Sequence, residues 1–302
     1  MGRPKGSRNK KTLAKLGLLS KAEVVKLKLK DVPQVEDTRT DQQIIDMISE
    51  RFTMYSAMVQ GAADPNSGIT SLITSGSAGV GKTYTATYVL DALREQNDGF
   101  RWKQVNGAAS AIGLYVTAYD YRHPGNVIVL DDADRVFDDE ESLNILKVLL
   151  DTSVERNVSW ITEHSLFRGQ DAQYPREFTF NGSMIFLTNK DFQDYVDRGT
   201  GKYVEHMEAL LSRAIYLDLK MHSRREVALW AKYIVLQKQV LQGSPIYLDR
   251  GGELEAVNWV VENRDRLREV SIRTALKAGK LMKRFPTEWK RACELVLLKE
   301  SV

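Results

Sequence analysis

The octapeptide Gly76-Ser77-Ala78-Gly79-Val80-Gly81-Lys82-Thr83 constrains this chain more than any other stretch. It fits the pattern G-x-x-x-x-G-K-[ST] at every fixed position. Glycines let successive backbone N–H groups curl around a phosphate with no Cβ in the way. Lys82 adds a cation suited to β- and γ-phosphates, and the Thr83 hydroxyl suits Mg²⁺. The helix that follows turns its positive N-terminal end toward the same anion. Context agrees: Leu72-Ile73-Thr74 reads as a short buried strand, and Thr83 to Leu93 as a helix. Residues 76–83 and the next, Tyr84, are therefore candidate nucleotide-binding residues. A plain Gly-rich turn is the alternative.

Strand and helix patterns alternate around this loop, which is the signature of a parallel α/β sheet. Strands are expected near residues 71–75, 101–105, 126–131, 183–188 and 214–219. Helices are expected near 41–58, 82–95, 108–120, 140–152 and 205–212, with a polar loop from Gly61 to Gly68. After Lys220 the pattern changes to four helices, near 223–241, 252–268, 271–284 and 287–299, with no strand between them. The expected organisation is a basic arm and linker over 1–40, an α/β nucleotide-binding core over 41–220, and an α-helical lid over 221–302.

Val127-Ile128-Val129-Leu130-Asp131-Asp132 is an apolar strand ending in two acids. Carboxylates at the C-terminal end of such a strand stand where α/β sheets bind ligands. Asp131 is a candidate Mg²⁺ ligand, through water, and Asp132 a candidate to orient or deprotonate an attacking water. Asp134 reads as a helix-starting acid.

With these two motifs in order, residues 40–285 resemble the AAA+ ATPases, a branch of the P-loop NTPases. That resemblance implies a five-stranded parallel αβα sandwich with a C-terminal helical lid. It also implies ATP and Mg²⁺ as ligands, and a homo-oligomer such as a hexameric ring. Three further residues take roles by position. Asn189, closing the strand Ser183–Thr188, resembles sensor 1. Arg213, just before the strand 214–219, resembles the arginine finger that reaches the γ-phosphate of a neighbouring subunit; Arg156 is a second candidate. Arg273, in Ser271-Ile272-Arg273, resembles sensor 2. The second acid is usually Glu in that family, whereas here it is Asp132, so hydrolysis is expected but its rate is open. Asn157–Glu163 and Glu177–Asn181 read as short strands, with Val158, Trp160, Phe178 and Phe180, flanking a polar loop that carries Arg168. They resemble an extra hairpin that one branch projects into a ring's pore; a surface hairpin is the alternative. The loop Asn106–Ser110 lacks the aromatic grip of protein-unfolding members.

Charge is unevenly spread. Residues 1–30 hold ten Lys/Arg and one acid, a net +9, while the remainder nets −6. A basic arm on an acidic body suits a polyanion partner. The start, Gly2-Arg3-Pro4-Lys5-Gly6 followed by Arg8, Lys10 and Lys11, resembles an AT-hook. In that motif an Arg-Pro core lies in the narrow minor groove of A·T-rich DNA. Arg3, Pro4, Lys5, Arg8, Lys10 and Lys11 are thus candidate DNA contacts, with a solubilising tail as the alternative. No apolar run approaches the roughly 18 residues of a membrane span. The single cysteine, Cys293, excludes an internal disulfide and fits a reducing compartment.

The pattern as a whole is similar to AAA+ proteins encoded by bacteriophages, which places the chain in a host cytoplasm. The expected function is that of a DNA-associated AAA+ ATPase in replication, recombination or a related genome transaction. Two alternatives stay open: a remodeller or loader of a protein partner, and a nucleotide-gated DNA-binding module with little hydrolysis.

Overall fold

The computed structural model describes residues 37–107, 109–134, 136, 139–152, 156–160, 166, 173–199, 204–243 and 245–300. The candidate DNA contacts Arg3, Pro4, Lys5, Arg8, Lys10 and Lys11, and Arg168 of the inserted loop, lie outside these residues. The chain divides into two compact units, Met1–Thr40 and Asp41–Val302. In the first, Arg39 grips the Asp37 carboxylate with two hydrogen bonds of 2.7 Å.

The second unit runs α1 (Asp41–Ala63), β1 (Ser71–Ser75), α2 (Lys82–Gln96), β2 (Trp102–Asn106), α3 (Ala111–Asp120), β3 (Val127–Asp131), α4 (Glu140–Leu149) and β4 (Arg156–Ser159). It continues with β5 (Glu177–Phe180), β6 (Ser183–Thr188), α5 (Phe192–Arg198), α6 (Val204–Leu211), β7 (Ile215–Asp218), α7 (Arg224–Lys238), α8 (Arg250–Glu262), α9 (Ile272–Arg284) and α10 (Trp289–Leu297). Five strands form one parallel sheet in the order β2-β3-β6-β1-β7.

The apolar runs explain the sheet's centre. A strand covered on both faces reads as a near-continuous apolar run rather than an alternating one; β1 departs from this, with Leu72 and Ile73 set among buried Ser71, Thr74 and Ser75. In β1 and β6 every residue is buried, and in β3 all but Asp131. Alternation then sorts the residues by face. Leu72, Val127, Val129, Ile185 and Leu187 pack with α1 and α2 residues such as Ile48, Tyr55 and Leu90. Ile73, Ile128, Leu130, Met184 and Phe186 pack on the other face with Leu114, Leu143, Leu146 and Leu210 of α3, α4 and α6. The edge strands β2 and β7 carry mixed burial, as edges can.

The four C-terminal helices share a third core, including Val235, Val257, Ala278, Met282 and Cys293, with Trp259 set edge-on to Trp289 at 6.2 Å. They are not insulated from the sheet. Trp230 of α7 stacks on Phe52 of α1 at 4.6 Å and buries within the sheet-facing core. The change of pattern near residue 220 is thus a change of secondary structure, not a break in packing.

Four expectations are corrected. α1 extends past residue 58 through Gly61 to Ala63, where Ile69 lies over the glycine. A short helix, α5, follows β6; Asp191 caps it by accepting from the Asp194 N–H. Asp134 starts no α-helix but lies in a 3₁₀ turn, in which the Val136 N–H donates to the Ala133 carbonyl at 3.0 Å. It accepts a 2.8 Å hydrogen bond from the Thr188 hydroxyl, while Asp139 caps α4. Arg156 opens β4 of a separate antiparallel pair with β5 and is 3% exposed. Its guanidinium donates to the carbonyls of Leu149 and Gly182 and lies 4.8 Å from the Phe180 ring. Burial lowers its pKa to about 10. A side chain so enclosed holds the hairpin and cannot reach a neighbouring subunit. Among the described residues, no helix is long and apolar enough to cross a membrane.

Candidate functional site

Parallel pairing brings the C-terminal ends of β1, β3 and β6 side by side, since Asp131 lies opposite Leu187 and Thr188 opposite Ser75. Residues 76–83, Asp131, Asp132 and Asn189 leave the sheet along this one edge. The loop from β1 to α2 needs its glycines. Gly76, Gly79 and Gly81 have φ of +152°, +72° and +109°, conformations that side-chain-bearing residues avoid. A Cβ at Gly79 would also stand 2.8 Å from that of Ser271.

Lys82, at the first position of α2, is 6% exposed. Its ammonium donates to the carbonyls of Gly76 (2.7 Å) and Ser77 (3.0 Å) and to Asn189 Oδ1 (2.9 Å). The amide of Asn189 in turn donates to Asp132 Oδ1 at 2.8 Å. The Thr83 hydroxyl donates to Asp131 Oδ1 at 3.1 Å, and Gln104 Nε2 to Asp131 Oδ2 at 2.9 Å. Asp132 adopts φ +50°, a left-handed conformation that Asp tolerates better than bulkier residues do. Its N–H is tied to the Leu187 carbonyl at 3.2 Å.

The helical segment closes over the loop. The Trp230 indole donates to the Val80 carbonyl at 2.9 Å, and the Ile272 N–H to the Gly79 carbonyl at 3.2 Å. Tyr55 donates to the Lys82 carbonyl at 3.1 Å. Ser271 caps α9 by accepting from the Thr274 N–H, which sets Arg273 facing the cleft. The cleft encloses about 890 Å³ between the loop and helices α1, α2, α7 and α9. Ala78, Tyr84, Tyr88, Tyr233 and Lys238 also line it.

Two charges are displaced from their ordinary behaviour. Burial lowers the Lys82 pKa to about 8, with a further push from Arg273, against the pull of Asp132 and Asp131. Burial raises that of Asp131, aided by Asp132 and opposed by hydrogen bonds from Thr83 and Gln104. An anion arriving beside Lys82 restores its proton affinity. At pH 8 the side chain is about half charged, so binding a polyphosphate should take up close to half a proton there and much less at pH 6.5. Calorimetric titrations in buffers of different ionisation enthalpy measure this number; zero uptake at pH 8 would contradict the assignment of the buried cation.

The donor set fits Mg²⁺. Hydroxyl and carboxylate oxygens are the hard ligands that ion prefers. Among the described residues there is no group of three His, Cys, Asp or Glu side chains able to hold a metal. A cation at Thr83 and Asp131 would therefore complete its coordination with water and ligand oxygens.

Of the residues expected from the sequence, the structure gathers Gly76 to Tyr84, Asp131, Asp132, Asn189 and Arg273 around this cleft. Arg213 is held elsewhere. Its Nε donates to Asp151 at 3.3 Å and its Nη1 to the Ala209 carbonyl at 2.8 Å. Sequence reasoning missed Gln104, Tyr55, Phe52 and Trp230. Gln104 stands in β2 with no motif around it; Phe52 and Trp230 look like ordinary core aromatics until their stacking is seen.

No family model matches the chain. Over 248 residues, covering 81% of this chain and 72% of the relative, it is 38% identical to a protein of Enterobacteria phage T4 described as the uncharacterized 36.7 kDa protein in the nrdC-mobD intergenic region. At that identity and coverage, the chain belongs to the same family as this phage T4 protein.

Proposed function

We propose that this chain is a P-loop ATPase of the AAA+ class that acts on DNA as a homo-oligomer in the cytoplasm of a phage-infected cell. The observation that carries the reading is the connected set Lys82–Asn189–Asp132 beside Thr83–Asp131, at the mouth of a Gly-rich loop. In this reading the loop N–H groups and Lys82 bind the β- and γ-phosphates of ATP. Thr83 and Asp131 would hold Mg²⁺, which when bound neutralises charge on the transferring phosphoryl group. Asn189 fixes Asp132, and Asp132 orients a water and accepts its proton. Arg273 reports nucleotide from the C-terminal helices, which act as a lid. Arg213, turned away from its own cleft, acts on the γ-phosphate of a neighbouring subunit, where a planar guanidinium suits spread phosphoryl charge.

The basic arm supports DNA as the partner, with Arg3 and Pro4 at its AT-hook-like centre. The test is ATP hydrolysis by the full-length protein with A·T-rich duplex, G·C-rich duplex and single-stranded DNA. Stimulation by DNA is expected, with A·T-rich duplex the better of the two duplexes. Turnover indifferent to every nucleic acid would contradict the DNA assignment and turn the search to a protein partner. One observation favours a second reading, a nucleotide-gated DNA-binding module. Asp132 is a methylene shorter than the Glu usual there and is already engaged by Asn189. In that reading ATP binds and changes DNA affinity with little turnover.

A further inference from the structure

Helix α9 carries charge of one sign only. Its sequence, IRTALKAGKLMKR, contains no acid. Arg273, Lys277, Lys280 and Arg284 recur at intervals of four, three and four, which places them on one stripe, and all are exposed. The opposite face, with Thr274, Ala275, Ala278 and Met282, is buried in the helical core. Lys277 has an acid near it, Glu269 at 3.7 Å. Among the described residues, neither Lys280 nor Arg284 has a carboxylate partner.

A basic face alone would be a solvated surface, but aromatic residues stand at its far end. Phe285 directly follows the stripe and is 45% exposed. Tyr247 is 65% exposed and has φ +56°, an outlier for a bulky side chain. Lys283 donates to the Pro245 carbonyl at 2.6 Å and lies 4.9 Å from the Tyr247 ring. The backbone is thus held in a costly conformation that leaves a tyrosine in solvent beside a lysine. Cations that track a backbone, with exposed rings on which unpaired bases stack, are the recognised chemistry of single-strand binding.

From this juxtaposition we infer that the exposed face of α9, formed by Lys277, Lys280, Lys283 and Arg284 with Tyr247 and Phe285, binds single-stranded nucleic acid. Lys277 to Arg284 spans about 10 Å, room for roughly three phosphates. Duplex offers this face only its phosphates, because its bases already stack on one another. The same helix begins at Ser271 and Ile272, which touch Gly79 of the nucleotide cleft. Strand binding and nucleotide binding would therefore act on the same helix, and a change of one affinity by the other would be reciprocal. The inference rests on the DNA-associated reading and adds to it a surface separate from the N-terminal arm.

The test uses full-length protein and labelled dT15 or a 15-base-pair duplex, with anisotropy read across a salt series. Lys280→Glu/Arg284→Glu should weaken dT15 binding at least tenfold at low salt. It should also flatten the log–log salt slope by about 1.4, the loss of two single-strand contacts. Tyr247→Ala/Phe285→Ala should weaken dT15 about tenfold and duplex less than twofold. Basal ATP hydrolysis should stay at the wild-type rate in both, which verifies folding; Lys280→Gln/Arg284→Gln serves if the reversal misfolds. Unchanged dT15 binding overturns the inference. So does equal loss on both DNAs with the aromatic pair silent, which marks a duplex-backbone surface. A change of assembly size without a change in DNA binding marks a subunit contact and overturns it as well. If no form binds nucleic acid, the DNA-associated reading fails; if only these variants behave as wild type, the inference alone fails.

Discussion

Lys82→Ala should leave a folded protein that no longer binds Mg·ATP. In the structure the ammonium spans two loop carbonyls and Asn189, so it is aimed into the loop before any ligand arrives. Charge-assisted hydrogen bonds contribute about 1.5–3 kcal/mol each. Losing two to phosphate oxygens lowers affinity on the order of a thousandfold. Stability should change little, because the variant discards three hydrogen bonds but also a buried charge that burial disfavours, as its pKa of about 8 records. Thermal unfolding separates the two effects. Nucleotide at a hundred times its Kd stabilises the wild type by about 2.7 kcal/mol, a rise of roughly 5–10 °C in a domain of this size. The variant should show no rise. An equal rise in both would place the ligand away from Lys82.

Asp132→Asn should separate binding from turnover. The amide is isosteric, and its oxygen can still accept from Asn189 Nδ2, so the cleft keeps its shape. It cannot take a proton from water. Removing a general base costs about a hundredfold to ten-thousandfold in rate, while ATP affinity should stay within about threefold of wild type, as no phosphate contact is lost. The variant should accumulate an ATP-bound oligomer, visible by sedimentation with ATP and absent with ADP. Phosphate release at the wild-type rate would show that Asp132 is not the base. A wild type already as slow as the variant would favour the nucleotide-gated reading.

The parts of the fold legible in the sequence were those where one physical demand acts alone. β3 and β6 are buried on both faces, so the apolar runs Val127–Leu130 and Met184–Leu187 mark them, while β1 shows only Leu72-Ile73 between buried Ser71, Thr74 and Ser75. The loop 76–83 is legible because left-handed backbone and close approach leave glycine as the residue that fits at fixed spacings. Elsewhere demands compete. Gly61 suggests a stop, yet packing of α1 against the sheet carries the helix on to Ala63. Arg156 offers a cation near the expected place for a finger, and only its burial against Leu149, Gly182 and Phe180 shows a structural role. Gln104 and Trp230 act across long sequence separations, on Asp131 and Val80, where local pattern carries no signal. Arg213 faces Asp151 within its own chain, and its assignment depends on a subunit interface that a single chain does not contain.

The measurement that bears most directly on the central claim is the steady-state release of phosphate from ATP by the purified full-length protein, with Mg²⁺ present and then chelated. The account predicts turnover that disappears with the metal and is absent from Lys82→Ala. No ATP binding and no phosphate release at millimolar Mg·ATP, with or without DNA, would contradict it.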